Sequence, residues 1–427
     1  MRAGVRDELF ETLVEDPEED GGLEPGAREV EPENFLRHIM ALSASKVADG
    51  LLNPKLVLSW LLAHLGAGPL WAGLLVPVRE AGALLPQLFT AGRIHGMARR
   101  KWAWAAGAAG QGIAALGIVA AGLLLQGPVA GAVIVALLGL LAVSRSVCSV
   151  SYKDVLGKTV GKSRRGTATG AAASMASGAV ILFALLLMFG AAERFLLVIG
   201  ALVLAGVAWL GAALVMSAME EAAQEGEAMG ARASIRQLRL LRERPQLRRF
   251  VMARGALVGT ALAPPYLVLL ASEGNAARQL GALVLASALA SLLSSYVWGR
   301  LSDRSSRRVL IYAGIAGAVA MGLALGVAAL GLSGTVWAIP GVLFVLMVAY
   351  HGVRSARSTY LVDMAPKDER ASYTAVSNTG VGVILLAMGA VGAGVASLSL
   401  PLALGLYLVM SLAGAFWARG LQEVEDG

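Results

Sequence analysis

Twelve long runs of apolar residues follow one another along the chain, and short polar stretches separate them. The runs lie near residues 38–63, 69–91, 103–126, 129–150, 167–190, 195–217, 250–271, 277–298, 309–332, 335–353, 373–396 and 399–418. A helix needs about 20 apolar residues to cross the hydrocarbon core of a bilayer. The pattern therefore predicts an all-α membrane protein with twelve transmembrane helices.

The composition supports this fold class. Of the 427 residues, 57% are hydrophobic and 15% are charged, whereas soluble proteins carry about 25% charged residues. This excludes a disordered chain and an ordinary soluble enzyme. One cysteine, Cys148, leaves no internal disulfide, and the four histidines are scattered. We therefore expect no metal site, no cofactor and no enzymatic activity.

The basic residues predict the orientation in the membrane. The loops after even-numbered helices hold 24 Lys and Arg, and those after odd-numbered helices hold Arg194 and Arg278. Loops rich in Lys and Arg stay in the cytoplasm, so we expect both termini there. Because these residues lie between apolar segments, the pI of about 9.7 does not indicate nucleic-acid binding. The 29 Arg, the 7 Lys and the many Ala and Gly favour the inner membrane of a GC-rich bacterium.

Polar segments divide the chain into five predicted parts. Residues 1–35 contain twelve acids and three Arg, which is typical of a solvated, mobile cytoplasmic tail. Residues 36–217 and 250–420 would each form six helices. Between them, residues 218–249 form a cytoplasmic linker whose end, residues 235–242, is either an amphipathic helix at the inner leaflet or a plain soluble helix. Residues 421–427 form a second cytoplasmic tail, and we expect a monomer.

A central group of charges lies inside the predicted spans. A charge at the bilayer centre costs about 2.5–3.5 kcal/mol, so these side chains should face the interior and pair. We expect a network between the first, second and fourth helices, formed by Lys46, Asp49, Arg79, Glu80 and Arg145.

Three roles remain open for this network. In the first, Asp49 or Glu80 carries a proton that is exchanged with a solute, and Glu80 is preferred because it lies deeper. In the second, the charges stay ionised and hold the helices together, with Arg145 reaching toward the inner interface. In the third, the charges bind the solute directly. Further polar side chains are candidates for a cavity lining, with packing as the alternative: Asn53, Tyr266, Tyr350, His351 and Asn378.

The two halves share a loop sequence. Residues 92–101 read Gly-Arg-Ile-His-Gly-Met-Ala-Arg-Arg-Lys, and residues 299–308, at an offset of 207, read Gly-Arg-Leu-Ser-Asp-Arg-Ser-Ser-Arg-Arg. Two similar halves are typical of transporters. The second copy resembles the cytoplasmic loop motif of the major facilitator superfamily, G-x-x-x-D-R-x-G-R-R/K, and departs from it at Ser306. The first copy has Gly96 and Met97 in place of the acid and the following Arg.

The resemblance implies a bacterial permease with two pseudo-symmetric six-helix halves and alternating access to a central site. It implies a cytoplasmic gate formed by Gly92, Arg100, Lys101, Gly299, Asp303, Arg304, Arg307 and Arg308. Asp303 would lie at the start of the fifth helix beside Arg164 and Arg165, although the arginines could serve topology alone.

We therefore expect a secondary transporter in a lipid bilayer that moves a small molecule together with protons. Because the chain has no Walker-type loop, transport driven by ATP is not expected. The alternative is a transporter-like sensor or partner-binding protein without flux, which the altered Gly96 and Met97 would suit, with the acidic tail as a docking arm.

Overall fold

The computed structural model describes residues 10, 12–14, 22–23, 25–189, 193–224, 236–366 and 369–424, and these contain helices and turns but no strand. A one-turn 3-10 helix, Gln237–Arg239, accompanies sixteen α-helices in this part of the chain. The α-helices are α1 Pro25–Glu29, α2 Glu31–Leu52, α3 Val57–His64, α4 Pro69–Leu84, α5 Gln87–His95, α6 Lys101–Leu124, α7 Gly127–Thr159, α8 Arg165–Phe189, α9 Arg194–Ser217, α10 Leu240–Glu243, α11 Pro245–Ala256, α12 Gly259–Leu262, α13 Pro264–Ala329, α14 Ala338–Met364, α15 Arg370–Leu398 and α16 Leu400–Arg419.

The helices confirm the predicted fold class. Within the described residues, nine helical stretches are long and apolar enough to cross a membrane. The other three predicted spans also contain helix, but α2–α3 and α4–α5 are interrupted, and the apolar stretch Gln279–Ser294 is short. Helix is thus present in each of the twelve predicted spans, although in three of them the described helix is not long and apolar enough to cross a membrane.

The first predicted span is two helices rather than one. Proline has no backbone N–H and its ring clashes with the preceding turn, so Pro54 ends α2. The Asn53 side chain then accepts a hydrogen bond from the backbone N–H of Lys55 at 3.0 Å and closes a local turn. The break between α4 and α5 likewise lies at a proline, Pro86. The first break leaves Lys55 on irregular backbone near the middle of the molecule.

The helical run α13 reverses direction inside its length. A straight helix would separate residues 264 and 314 by about 75 Å. Instead, Gly314 packs against Leu257 and Gly317 against Thr260, both just before the run begins. Gln279 also donates a hydrogen bond to the Ser333 carbonyl, at 3.3 Å. The run therefore contains the predicted eighth and ninth spans as well as the second part of the seventh.

The end of the molecule that carries most Lys and Arg is called the basic end here. In the first half, the Glu221 carboxylate accepts a hydrogen bond from the Lys101 backbone N–H (2.7 Å) and pairs with Lys158 (3.4 Å). In the second half, Glu423 pairs with Arg307 (2.8 Å) and accepts a hydrogen bond from Ser305. In each half, a glutamate after the last helix thus forms polar contacts with residues near the loop that follows the second predicted span.

Part of the N-terminal tail packs against the protein, whereas the prediction for residues 1–35 was a solvated, mobile tail; other described residues, such as Leu13 and Arg28, are exposed. Phe10 and Val14 are buried, and the Phe10 ring meets the Phe35 ring edge-on at 5.3 Å. Glu31 is also buried; it accepts a hydrogen bond from the Gly161 N–H (2.8 Å) and pairs with Arg164. These contacts hold the start of α2 against the turn between α7 and α8.

The described end of the linker contains the 3-10 helix Gln237–Arg239 followed by α10, and its position relative to the inner leaflet stays a prediction. Leu238, Leu240 and Leu241 pack against the protein core, and Arg244 pairs with Glu369 before α15 at 3.1 Å. Residues 225–235, the acidic-to-basic part of the predicted linker, lie outside the described residues.

The two halves touch along α4 and α15 and, at the end opposite the basic end, between α8 and α13, and they separate at the basic end of α8. Along α4 and α15, Pro77 packs on Gly389 and Leu85 on Gly382, while Gly281 of α13 packs on Met188 near the end of α8. At the basic end of α8, Gly166 and Gly170 have no atom within 4 Å of where a side chain would begin, and Gly299 of α13 is equally open. The space between the halves therefore opens at the basic end.

A side chain at Gly389 should disturb the contact between the halves. We expect Gly389→Val to push α4 and α15 apart at Pro77 and to cost about 1–3 kcal/mol, the usual effect of overpacking. Gly394→Val is the matched control, because Gly394 lies on the same helix with no atom within 4 Å. Thermal unfolding in detergent measures both; equal melting temperatures would contradict this packing.

Candidate functional site

Asp49 joins two arginines from two other helices of the first half. Its carboxylate pairs with Arg79 of α4 at 2.8 Å through one oxygen and with Arg145 of α7 through the other. The Arg79 side chain is 10% exposed, whereas that of Arg145 is 37% exposed. One carboxylate thus holds α2, α4 and α7 together at the depth where an unpaired charge is most costly.

Glu80 belongs to a different pair, which corrects the prediction of a single network. Its carboxylate lies 3.9 Å from Lys55, at the break between α2 and α3. The Lys55 ammonium lies over the ring of Tyr350 on α14, 3.4 Å from the ring centre, as in a cation–π contact. Lys55 therefore connects an acid of the first half with an aromatic ring of the second.

Lys46 takes no part in either pair. It is half-buried and makes no hydrogen bond or ion pair with another described residue. Its charge lies within electrostatic reach of Arg145, Arg354 and Asp49. The predicted five-residue network is therefore one carboxylate with two arginines, a separate Glu80–Lys55 pair, and a lysine between the halves.

A pocket lies between the two halves beside Glu80. Its polar lining comes from both halves and includes three arginines of the second half, Arg254, Arg354 and Arg357. The remainder is mainly apolar: Leu257, Val258, Ala261, Val353 and Leu385, together with Thr260 and Tyr350. Such a mixture of apolar walls and a few converging polar groups is typical of small-molecule sites.

Arg254 anchors one side of this pocket. It donates hydrogen bonds to Ser377 (2.9 Å) and Asn378 (3.1 Å), and Asn378 donates in turn to Gln87 of the first half at 3.3 Å. The Arg254 side chain is buried, yet its Nε has no hydrogen-bond partner among the described residues. One donor of this guanidinium thus remains available.

The other predicted cavity residues lie in three different places. Tyr350 lines the pocket, whereas the ring of its neighbour His351 packs against it edge-on, 5.3 Å between centres. Tyr266 is fully buried away from the pocket, with its ring 5.7 Å from that of Tyr407. Asn53 makes the turn before Lys55, and Asn378 supports Arg254.

The predicted gate residues are arranged differently in the two halves. In the first half, Arg100 pairs with Asp154 (2.7 Å) and the Lys101 ammonium donates to the Ser217 and Met219 carbonyls, while Gly92 is buried within α5. In the second half, Arg307 pairs with Glu423, and Gly299, Arg304 and Arg308 lie on the more open part of α13.

Asp303 does not reach the start of the fifth membrane helix. Its side chain is exposed and makes no ion pair with the described residues. Arg164 is bound to Glu31, and Arg165 donates to the Val160 (2.9 Å) and Gly157 (2.7 Å) carbonyls. The contact implied by the motif is therefore absent from this conformation, in which the basic end is open.

Arg354 and Arg357 lie elsewhere than the hydropathy pattern predicts. The pattern assigns both to the loop after the tenth span, but α14 continues to Met364 and carries them into the pocket. A sequence signal for them exists. Residues 145–158 and 354–367, at an offset of 209, share the pattern Arg-Ser-x-x-Ser-x-x-x-x-Asp-x-x-x-Lys, so Arg354 corresponds to Arg145.

Metal binding finds no support in the described part of the chain, where no three His, Cys, Asp or Glu side chains come together. The arrangement of charges instead suits ion pairing with a solute and the exchange of a proton at a carboxylate near the pocket.

Removing the carboxylate of Asp49 should destabilise the first half. We expect Asp49→Asn to leave Arg79 and Arg145 as adjacent like charges and to cost up to about 3 kcal/mol, because only Arg145 retains access to water. Glu369→Gln, which removes the exposed pair with Arg244, should cost about 0–1 kcal/mol. Thermal unfolding of the purified variants compares the two; a stable Asp49→Asn protein would contradict the role given to the carboxylate.

Comparison with known proteins gives a family match and a fold match. The model of the family described as "Major Facilitator Superfamily" matches residues 250–426. No curated protein matches the chain. The family match supports a membrane transporter rather than an enzyme.

Solved transporters share the fold at low sequence identity. A mutant of the nucleoside transporter NupG is 14% identical with a TM-score of 0.68, and covers 91% of this chain and 99% of its own. A D-xylose–proton symporter is 12% identical with a TM-score of 0.67, covering 92% and 98%. The inward-open xylose transporter XylE from E. coli is 12% identical with a TM-score of 0.60, covering 93% and 97%. The resemblance to the major facilitator superfamily is thus confirmed, in sequence over residues 250–426 and in fold over about nine-tenths of the chain.

Proposed function

We propose that this protein is a secondary active transporter that carries a small solute across a membrane by alternating access, coupled to protons. The observation that carries the proposal is the pocket between the two halves, which contains Glu80 from one half and Arg254, Arg354 and Arg357 from the other. A site shared by two pseudo-symmetric halves is the arrangement that rocking motions can expose to either side.

Two features support alternating access. The halves pack closely at Pro77–Gly389 and Gly281–Met188 but separate at Gly166, Gly170 and Gly299. The space around the pocket therefore opens at one end of the molecule. Rocking of one half against the other would close this end and break the first set of contacts.

Glu80 is the proposed proton carrier. It is 34% exposed on the pocket side and is paired at 3.9 Å with Lys55. Lys55 rests on Tyr350, and Arg354 and Arg357 act on Glu80 electrostatically from the same opposite half. Rocking would change how many cations surround this carboxylate and thus its affinity for a proton, which is the linkage that coupling requires. The symporter among the similar structures supports the same mechanism.

We place the basic end in the cytoplasm of a bacterial cell, with both termini there and the chain in the inner membrane. With Arg354 and Arg357 counted in the pocket, an asymmetry of 22 to two Lys and Arg between the two sets of predicted loops supports this orientation. The open conformation described here would then face inward.

The alternative is a sensor or partner-binding protein on the same frame. The acidic tail is its candidate docking arm, but Phe10 and Val14 are buried against the protein's own helices. The altered loop residues Gly96 and Met97 remain in its favour. Solute flux separates the two hypotheses.

Proton flux in proteoliposomes tests the proposed coupling. Mixed pools of sugars, amino acids, organic anions and drugs are added to vesicles that contain a pH dye. We expect at least one pool to drive proton movement with the wild type, and Glu80→Gln to reduce that movement to about a tenth or less while solute counterflow continues, because only the proton site is removed.

The matched control is Glu193→Gln, which removes an exposed acid outside the pocket and should leave both activities unchanged. Proton movement that persists in Glu80→Gln would exclude Glu80 as the carrier. Absence of flux with every pool, in a protein that still binds a solute, would favour the sensor.

A further inference from the structure

We propose that the solute is a small organic anion with at least two negative charges on carboxylate or phosphate groups, and that Arg354, Arg357 and Arg254 bind it. This inference rests on the proposed function, because it assigns the chemistry of the same pocket. It follows from three observations: arginines without an ion pair, a missing acid in the second half, and the net charge of the central region.

The first observation is that Arg354 and Arg357 form no ion pair within the described part of the chain, although Glu80 lies across the same pocket. They lie three residues apart, hence on one face of α14, and both line the pocket. Neither side chain makes a hydrogen bond or ion pair with any described residue. Arg254 contributes an unpartnered Nε from a buried side chain on the facing helix. Guanidinium groups form paired hydrogen bonds with planar carboxylates and with phosphates, so three of them around one pocket match an anion.

The second observation is a difference between the two halves. Arg145 in the first half corresponds to Arg354 in the second, and Arg145 is neutralised by Asp49. The breaks at Asn53-Pro54 and Pro264-Pro265 align the first and seventh spans at an offset of 211, which places Thr260 where Asp49 would be. Residues 245–271 contain no Asp or Glu. The second half thus repeats the arginine and omits its acid, and Thr260 lines the pocket in its place.

The third observation is the charge of the central region. Seven cations face two carboxylates, Asp49 and Glu80: Lys46, Lys55, Arg79, Arg145, Arg254, Arg354 and Arg357. Asp49 and the Glu80–Lys55 pair account for part of this charge. The remaining excess is concentrated on the side of the pocket formed by the second half. A ligand with two or more negative charges lowers this excess of positive charge, whereas a neutral sugar leaves it unchanged and an organic cation increases it.

The rest of the lining indicates an organic rather than a simple inorganic anion. Leu257, Val258, Ala261, Val353 and Leu385 form apolar walls beside the arginines. These walls offer apolar surface to the carbon skeleton of a small organic molecule. The proposed solute therefore has an anionic group bound by the arginines and an apolar or neutral portion in contact with α12 and α15.

Glu80 gives the anion a direct link to the proton. It is the acid among the described lining residues, and it lies on the first-half side of a pocket whose other charged groups are positive. Protonation of Glu80 removes the negative charge that would repel the anion. By linkage, the bound anion favours protonation to the same extent. The two ligands would therefore bind together, as symport requires.

The single cysteine of the chain allows a test that does not depend on the identity of the solute. Cys148 is buried and is replaced by alanine, and Ala261, which lines the pocket, is replaced by cysteine. The thiol is then labelled with a sulfonate-bearing and with a trimethylammonium-bearing methanethiosulfonate, and each rate is divided by that of the same reagent with a free small thiol. The ratio of the two normalised rates is independent of the thiolate fraction.

We expect the sulfonate reagent to be favoured by about tenfold or more, because a potential of several kT acts on the two reagents with opposite sign. Arg354→Gln with Arg357→Gln should lower this preference severalfold, and the charge-retaining pair Arg354→Lys and Arg357→Lys should preserve it even if the glutamine variant folds poorly. Arg419→Gln, which removes an exposed arginine at the end of α16, should have no effect. Equal rates for the two reagents, or a preference for the cationic one, would overturn the proposal.

Protection from labelling identifies the anionic group. The probes are succinate, phthalate and glucose 6-phosphate, with succinamide and glucose as neutral analogues. Protection by a dicarboxylate or by the phosphate ester supports the proposal if this protection weakens at least tenfold in the glutamine variant. Which of the two compounds protects the thiol shows whether the bound group is a carboxylate or a phosphate. Equal protection by the neutral analogues would overturn it. Absence of solute flux would contradict the proposed transport instead, since labelling requires no flux.

Discussion

A charged side chain in the middle of a bilayer must have a partner or water, and this constraint organises the centre of the molecule. Asp49 satisfies it for two arginines at once and thereby joins three helices of the first half. Pro54 interrupts the first span and presents Lys55 to Glu80 and Tyr350, so the next pair extends across the boundary between the halves. Where the constraint is not satisfied by the protein itself, at Arg354 and Arg357, the side chains face an open pocket.

The glycine contacts explain how the halves can be tightly joined at one end and apart at the other. Gly382 and Gly389 allow α15 to approach Leu85 and Pro77 of α4 closely. On α8, by contrast, Gly166 and Gly170 have no atom within 4 Å of where a side chain would begin. The exposed Asp303 belongs to the same open end. The contact that the motif implies for Asp303 is thus not formed in this structure.

The sequence predicted the class of fold and the central location of the charges, because both follow from hydropathy and from the energy of burying an ion. It did not predict which acid pairs with which base. Whether Glu80 pairs with Arg79 or with Lys55 depends on the break at Pro54, and a hydropathy pattern does not show on which side of a break a lysine emerges. Arg354 and Arg357 were misplaced because loops and helix ends carry arginines for topology, and the helix Ala338–Met364 is longer than its apolar core. Tyr266 is a cavity candidate by its polar group, but its ring is buried against Tyr407.

In each half, a glutamate near the end of the last helix binds residues near the loop that follows the second helix. This has a consequence for producing the protein as two polypeptides. Glu221 fastens the end of the first six helices to Lys101, and Glu423 fastens the end of the second six to Arg307. These two polar contacts are thus internal to their own halves, and neither of them spans the connection between residues 224 and 236. Two separately translated polypeptides, divided within that connection, would each retain one of these contacts. Reconstitution of the protein from two genes would then depend on the contacts between the halves, which include the packing of α4 against α15 and of α8 against α13, the Asn378–Gln87 hydrogen bond and the Lys55–Tyr350 contact.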